Sequence, residues 1–249
     1  VAASRTHLLH PTAVVHPTAT VHPTATIGPF CVLGPDVTIG ARAHLHSHVT
    51  VDGLTTVGPD SEIFSHAVVG ATPQDLKHDK SDTSELVLGA RVQVHSHAHV
   101  CSGTARGGGK TIIGDGSLIM SFAHVGHDCH LGDNCVVVSR SSLGGHVVMG
   151  DHSVVGADCN VHQRVSIGAY AYLGAASVLL KDLVPYGLAH SEYTRFATLA
   201  GLNVRGLRRH GVGRLEVREM FSTLKRMCAE PSLTIPARSA CALAARLTP

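Results

Sequence analysis

The chain contains no tryptophan, and only five phenylalanines and four tyrosines among its 249 residues. An interior wedged with large rings is excluded, although 44% of the residues are hydrophobic and a chain of this length buries a sizeable core. Charge is sparse at 15%, and a formal net charge of +2 gives no general attraction to nucleic acid. No run of about 20 apolar residues occurs, so no transmembrane segment is expected. The seven cysteines have no CxxC spacing, which points away from a zinc ribbon and from a disulfide framework. A reducing compartment is the expectation. The chain starts Val1-Ala2-Ala3 without an apolar leader. The expected location is cytoplasmic for a bacterial protein, and mitochondrial or plastid for a processed eukaryotic one.

What the chain has in abundance is a period of six. HPTA begins at His10, His16 and His22. The same frame places an apolar residue at Val15, Val21, Ile27 and every sixth position to Val69. It resumes at Leu88, Val94 and Val100, and again from Ile113 through Leu179 without exception. Two residues earlier in each hexad the side chain is small: Ala13, Ala25, Cys31, Ser117, Cys129, Cys135, Ser141, Cys159. Alternation within the hexad predicts short strands with one face inward. Gly followed by Pro, Asp or Ala after many of the aliphatics predicts turns. The sum is a mainly β chain, a parallel β-helix whose narrow triangular interior leaves no room for aromatics. Cys31, Cys129, Cys135 and Cys159 are then small interior fillers, not nucleophiles.

This pattern resembles the left-handed β-helix of hexapeptide-repeat acyltransferases. The resemblance implies three hexads per coil, with residues 18 apart stacked about 4.8 Å from each other, and a homotrimer. Residues 1–9 read as an N-terminal extension and 10–187 as the β-helix, with loops ejected at 71–85 and 101–110. Residues 188–249 read as a connector and a small α-helical C-terminal region. The first loop carries Gln74-Asp75-Leu76-Lys77. The second, GTARGGGK, lacks the strand–loop–helix setting of a phosphate-binding loop and is expected to be flexible. Leu215, Met220, Phe221, Leu224 and Met227 have roughly helical spacing, and SACALAARL suggests a second short helix. The arginines at 205, 208, 209, 214 and 218 suit either a solvated face or a surface for a diphosphate or an acidic partner.

The remaining motifs narrow the chemistry. Ser121–Leu131 reads SFAHVGHDCHL, Gly144–Val147 reads GGHV, and Val161–Gln163 reads VHQ. With QDLK, the GGG loop and GLN…GLRRHG at 201–211, this order resembles the UDP-N-acetylglucosamine O-acyltransferases that begin lipid A synthesis, over roughly residues 10–225. The resemblance implies transfer of a hydroxyacyl chain from acyl carrier protein to the sugar 3-hydroxyl. It makes His127 the general base, a role that suits an imidazole near neutral pH. Asp128 would orient that ring, and the Gly145 N–H would steady the oxyanion. Gln74, Asp75 and His146 would contact the sugar, and Lys77 a phosphate or the pantetheine arm. His124 and Arg209 would meet the diphosphate, and Gln163 and Asn203 the nucleotide, with His162 nearby. Ala175 stands at the position that limits acyl length. Neither a metal nor a redox cofactor is called for.

The chain departs from that family pattern at several places. Cys101-Ser102 replaces a usual His-Arg, Arg164 a usual Phe, Arg205 an acidic residue, and His210 an Arg. Residues 190–199 look longer than usual. His44, His46 and His48, and His95, His97 and His99, are expected on solvated outward strand faces. A γ-class carbonic anhydrase would need two His five apart, and none of the twenty His has that spacing. The alternative reading is a non-catalytic prism serving as a structural subunit of a larger assembly.

Overall fold

A computed structural model describes residues 8–79, 83–192 and 196–229. Within it, nearly every hexad forms a strand of two residues, such as Val14–Val15, Thr20–Val21 and Thr26–Ile27. Each strand pairs in parallel with the third one along, so that Thr26 faces His44 and Leu33 faces Val51. Three sheets of eleven, nine and eight strands result, wound into a left-handed parallel β-helix. Among the described residues the first pairing is Leu8–Leu9 against Thr26–Ile27, inside the segment expected to precede the prism.

The aliphatic frame is the core. Leu33, Ile63, Val94, Ile119 and Leu143 are essentially inaccessible, whereas Val15 and Val21 are only half-buried because the first coil is an open end. The small positions hold thiols and hydroxyls that reach nearby carbonyls. Cys129 Sγ donates to Gly144 O at 3.2 Å and Ser117 Oγ to Gly132 O at 3.0 Å. Burial pushes the Cys129 thiol up to about 12 and the Cys135 thiol up to about 11, which removes nucleophilic character.

The turns have an uncommon backbone. The second turn residue adopts positive φ although it is seldom glycine: 57° at Arg42, 58° at Asp128, 63° at His146 and 65° at Arg164. This conformation is unfavourable for L-residues. The offsetting interaction is a hydrogen bond between coils: His146 N–H donates to His127 O, and Arg164 N–H to Gly145 O, both at 2.9 Å.

Turn residues eighteen apart therefore form columns at the three corners. One column stacks Phe30, His48 and His66, eighteen apart, and continues across the two excursions to His97 and Phe122, with successive ring centroids 4.8–5.0 Å apart. His46, Phe64 and His95 form another ladder. Of the six His expected on outward strand faces, only His44 and His99 belong to strands, whereas His48 and His97 sit at turns and His46 and His95 between the two.

Two excursions interrupt the winding. One joins the strands Val68–Ala71 and Glu85–Leu88, the other His99–Cys101 and Lys110–Ile113. The second is not the loose loop its glycines suggest. Thr104 caps a 3-10 turn over Ala105–Gly107, and Lys110 Nζ pairs with Glu85 at 2.7 Å instead of offering itself to a phosphate.

The prism ends in the strand Gly187–His190, which pairs antiparallel with Thr198–Leu202. Helices α1 (Val204–Arg209) and α2 (Arg214–Ala229) follow. Tyr186, Leu202 and Leu207 make a small second core with Val217, Met220 and Leu224 against it, while Leu215 is 76% exposed. The segment SACALAARL lies outside the described residues. Among the described residues no helix is long and apolar enough to cross a membrane.

Candidate active site

One corner of the prism gathers Asp128, His146 and Arg164 on successive coils. The Asp128 carboxylate is fully buried, and three protein groups reach it. His127 Nδ1 donates to its Oδ2 at 2.7 Å. Thr104 donates its backbone N–H to Oδ1 at 2.8 Å and its hydroxyl to Oδ2 at 2.7 Å. The Asp128 N–H in turn donates to Thr111 Oγ1 at 2.9 Å. Gly107 lies so close that any side chain there would run into the carboxylate. An ionised carboxylate only accepts, so this bond fixes the proton on His127 Nδ1 and leaves the Nε2 lone pair free.

The His127 side chain is 15% exposed and packs against Gly145. A Cβ on Gly145 would be 2.6 Å from both Cε1 and Nε2 of that ring. Gly145 is not among the glycines with positive φ, so its small size serves clearance and not backbone strain. Its N–H has no protein acceptor among the described residues, whereas equivalent turn N–H groups at Asp115 and Asp133 each donate to an aspartate of the next coil. A ring nitrogen and an N–H without a protein acceptor thus sit on adjacent coils at one corner.

His146 meets His127 edge-on, with ring centroids 5.1 Å apart, and its Nε2 is 3.9 Å from Asp128 Oδ2. Burial lowers its pKa, opposed by Asp128 and reinforced by Arg164, whose Nη2 is 3.4 Å from the ring nitrogen. The QDLK loop closes over this corner. The Lys77 N–H on the Asp75 carboxylate holds that group below the usual carboxylate range, helped by the charges of His127, Lys77 and Arg106. Gln74, Leu76 and Lys77 are exposed. On the adjoining sheet face, burial also lowers the pKa of His124, with the charges of His99 and His127 adding to the effect.

A hydrogen-bonded imidazole–carboxylate pair beside a free N–H is equipment for deprotonating a hydroxyl and steadying an oxyanion. The sequence comparisons identify the family. The family model "Bacterial transferase hexapeptide (six repeats)" matches residues 18–53 and 110–145. The acyl-[acyl-carrier-protein]--UDP-N-acetylglucosamine O-acyltransferase of Caulobacter vibrioides is 46% identical over 222 residues, which are 89% of this chain and 83% of that one. The chain belongs to this acyltransferase family.

A protein of the same name from Bartonella bacilliformis is 49% identical over 71% of this chain, and the match spans 63% of its own length. The solved UDP-N-acetylglucosamine acyltransferase of Francisella novicida superposes with a TM-score of 0.86 at 32% identity, covering 96% of this chain and 85% of that one. The family's expected residues fall at three separate corners here. His127, Asp128, Gly145, His146 and Asp75 come together at one corner, with His124 beside them. His162 and Gln163 are exposed one coil further on. Asn203 and Arg209 lie over a different corner, lining a cavity of about 590 Å³ with His152, Tyr170, Arg205 and His210.

The Asn203 side chain has a structural task there. Its Oδ1 accepts from Gly206 N–H at 3.0 Å and caps α1, while its Nδ2 donates to Tyr170 O at 2.9 Å. Ala175 is exposed at the third corner. The sequence reading missed Thr104, Gly107 and Thr111. The first two lie inside the ejected GTARGGGK loop, where no hexad frame reports their direction. Thr111 carried a readable signal, since it occupies the small interior position two residues before Ile113.

Proposed function

We propose that the protein transfers a 3-hydroxyacyl chain from acyl carrier protein to the 3-hydroxyl of UDP-N-acetylglucosamine. The observation that carries this reading is the 2.7 Å contact between His127 Nδ1 and the Asp128 carboxylate, with Nε2 set against Gly145. Nε2 takes the hydroxyl proton as the sugar oxygen attacks the thioester carbonyl. The developing oxyanion is met by the Gly145 N–H. When the carbon–sulfur bond breaks, the imidazolium returns the proton to the leaving thiolate. The Asp128 carboxylate orients and stabilises the charged ring.

His146 and Asp75 flank the same space and suit the sugar. Lys77 reaches from the exposed edge of its loop toward a phosphate or the pantetheine arm. Arg209 and Asn203 belong to another corner of the same chain, so they join this site only across a subunit boundary. We therefore expect a homotrimer in which the C-terminal region of one protomer covers the His127 corner of the next, supplying contacts to the diphosphate and nucleotide. Gln163 and His162, exposed beside Arg164, would line the nucleotide end. Ala175, with a methyl where glycine would leave more room, would favour a somewhat shorter acyl chain.

The deciding experiment offers a mixture of hydroxyacyl donors of several lengths on acyl carrier protein and identifies the acylated sugar nucleotide by mass spectrometry. His127→Ala is expected to lower kcat by about 10²–10⁴-fold, the usual worth of a positioned general base, with an unchanged circular dichroism spectrum. A folded wild-type chain that turns over no donor would overturn the reading, and a nearly unaffected His127→Ala rate would overturn the role given to this ring.

A further inference from the structure

Two imidazoles and a thiol converge on the sheet face beside the His127 corner. His99 and His124 are partners in register on adjacent strands. Cys101 follows His99 by two residues and so projects from the same face. Unlike Cys31 or Cys129, it is not an interior filler, because the inward position of that strand is Val100. Cys101 is buried all the same, and the backbone of Gln74 hydrogen-bonds to its sulfur. The QDLK loop therefore covers it from outside.

The separations are those of a coordination shell. His99 Nδ1 and His124 Nδ1 are 3.2 Å apart, Cys101 Sγ is 3.8 Å from His99 Nδ1, and all three donor atoms lie within 4.8 Å of one another. With Zn–N near 2.0 Å and Zn–S near 2.3 Å, tetrahedral zinc holds its ligands about 3.3 Å (N to N) and about 3.6 Å (S to N) apart. We propose that His99, Cys101 and His124 bind one zinc ion, with the fourth position left to water.

The protonation states suit this. Burial lowers the pKa of both imidazoles, which keeps them neutral with lone pairs to give. Burial raises the thiol to about 11, so the proton on sulfur must leave when the metal arrives. One Zn²⁺ and one thiol become a zinc thiolate and a released proton. Two other clusters are poorer hosts. His46 Nε2 is already bonded to Glu62 at 2.8 Å in a half-exposed group, and Asp128 already accepts from Thr104 and His127. Neither offers a sulfur.

The test is a titration of the chelator-stripped full chain with Co²⁺, an optical stand-in for zinc, and it uses no acyl-transfer readout. One Co²⁺ per chain is expected to give a thiolate-to-cobalt charge-transfer band and the strong visible bands of tetrahedral cobalt, both erased by equimolar Zn²⁺. Cys101→Ser should abolish the charge-transfer band and weaken Zn²⁺ binding at least tenfold in competition with a chromophoric chelator. His99→Ala should weaken it similarly and decides the matter if Cys101→Ser fails to fold. No charge-transfer band in the wild-type chain, a band that survives Cys101→Ser, or unchanged affinity in folded His99→Ala would overturn the site.

Discussion

Thr104 grips both oxygens of Asp128, its N–H on Oδ1 at 2.8 Å and its hydroxyl on Oδ2 at 2.7 Å. Thr104 belongs to an excursion from the prism, and Asp128 to a turn of it. The excursion therefore returns to the scaffold at the carboxylate that orients His127. Thr104→Val keeps the shape and the N–H but removes one donor from a buried charge, a loss of about 1–3 kcal/mol. The expected result is a lower melting temperature and a roughly tenfold lower kcat with KM little changed, both restored by Thr104→Ser. Steady-state kinetics and thermal melts of the two variants check it.

Asp128→Asn addresses the tautomer. The amide can donate to His127 Nδ1, which then accepts, and the ring proton moves to Nε2 where the base is needed. A kcat loss of about 10²–10⁴-fold is expected, by analogy with the loss seen when a serine protease's triad aspartate becomes asparagine. Substrate binding measured by calorimetry should change little. A variant with wild-type kcat would dismiss the orienting role of Asp128.

Gly145→Ala addresses clearance. The new methyl would come within 2.6 Å of the His127 ring and force it aside, and a misplaced reacting group costs about 10²-fold in rate. The backbone at this position accepts alanine, so folding should survive. The double variant Gly145→Ala, His127→Ala separates the causes. With the ring gone, the added methyl should cost no further stability, and a double-mutant cycle of melting free energies reads that coupling.

The pH dependence of stability follows from the buried imidazoles. Burial is the leading cause that holds His99, His124 and His146 below their ordinary value of 6.5. The unfolded chain then takes up protons at a higher pH than the folded one. Stability is therefore complete above about pH 6.5 and falls as the pH drops from there toward the lowered folded-state values. Denaturant melts between pH 7.5 and pH 5 should show this decline, and His124→Gln should flatten it. A pH-independent melt over that window would refute it.

The prism was readable because its hexads repeat one instruction, an aliphatic and a small residue inward and then a turn. The eighteen-residue stacking rested on family resemblance, since the period of six alone does not say how many hexads close a coil. The His ladders were misplaced because period-two alternation was extended beyond the two residues that a strand contains here. His48 and His97 lie past that limit and turn with the corner. At the site, His127 and Asp128 could be read as neighbours in sequence, but Thr104 arrives from a segment without a frame. Asn203 carried the signature of a helix cap, yet α1 is only six residues long and contains Gly206, too little for a periodic signal.

The register of eighteen also constrains how such a chain can change length. Deleting a single residue between Ile113 and Leu179 would rotate every later side chain to the wrong wall and move each later corner residue out of its column. Viable lineages must gain or lose whole windings, or extrude the surplus as a bight like the one that carries Thr104. Novelty enters this molecule at its exits from the spiral, and alignment gaps among its relatives should cluster there.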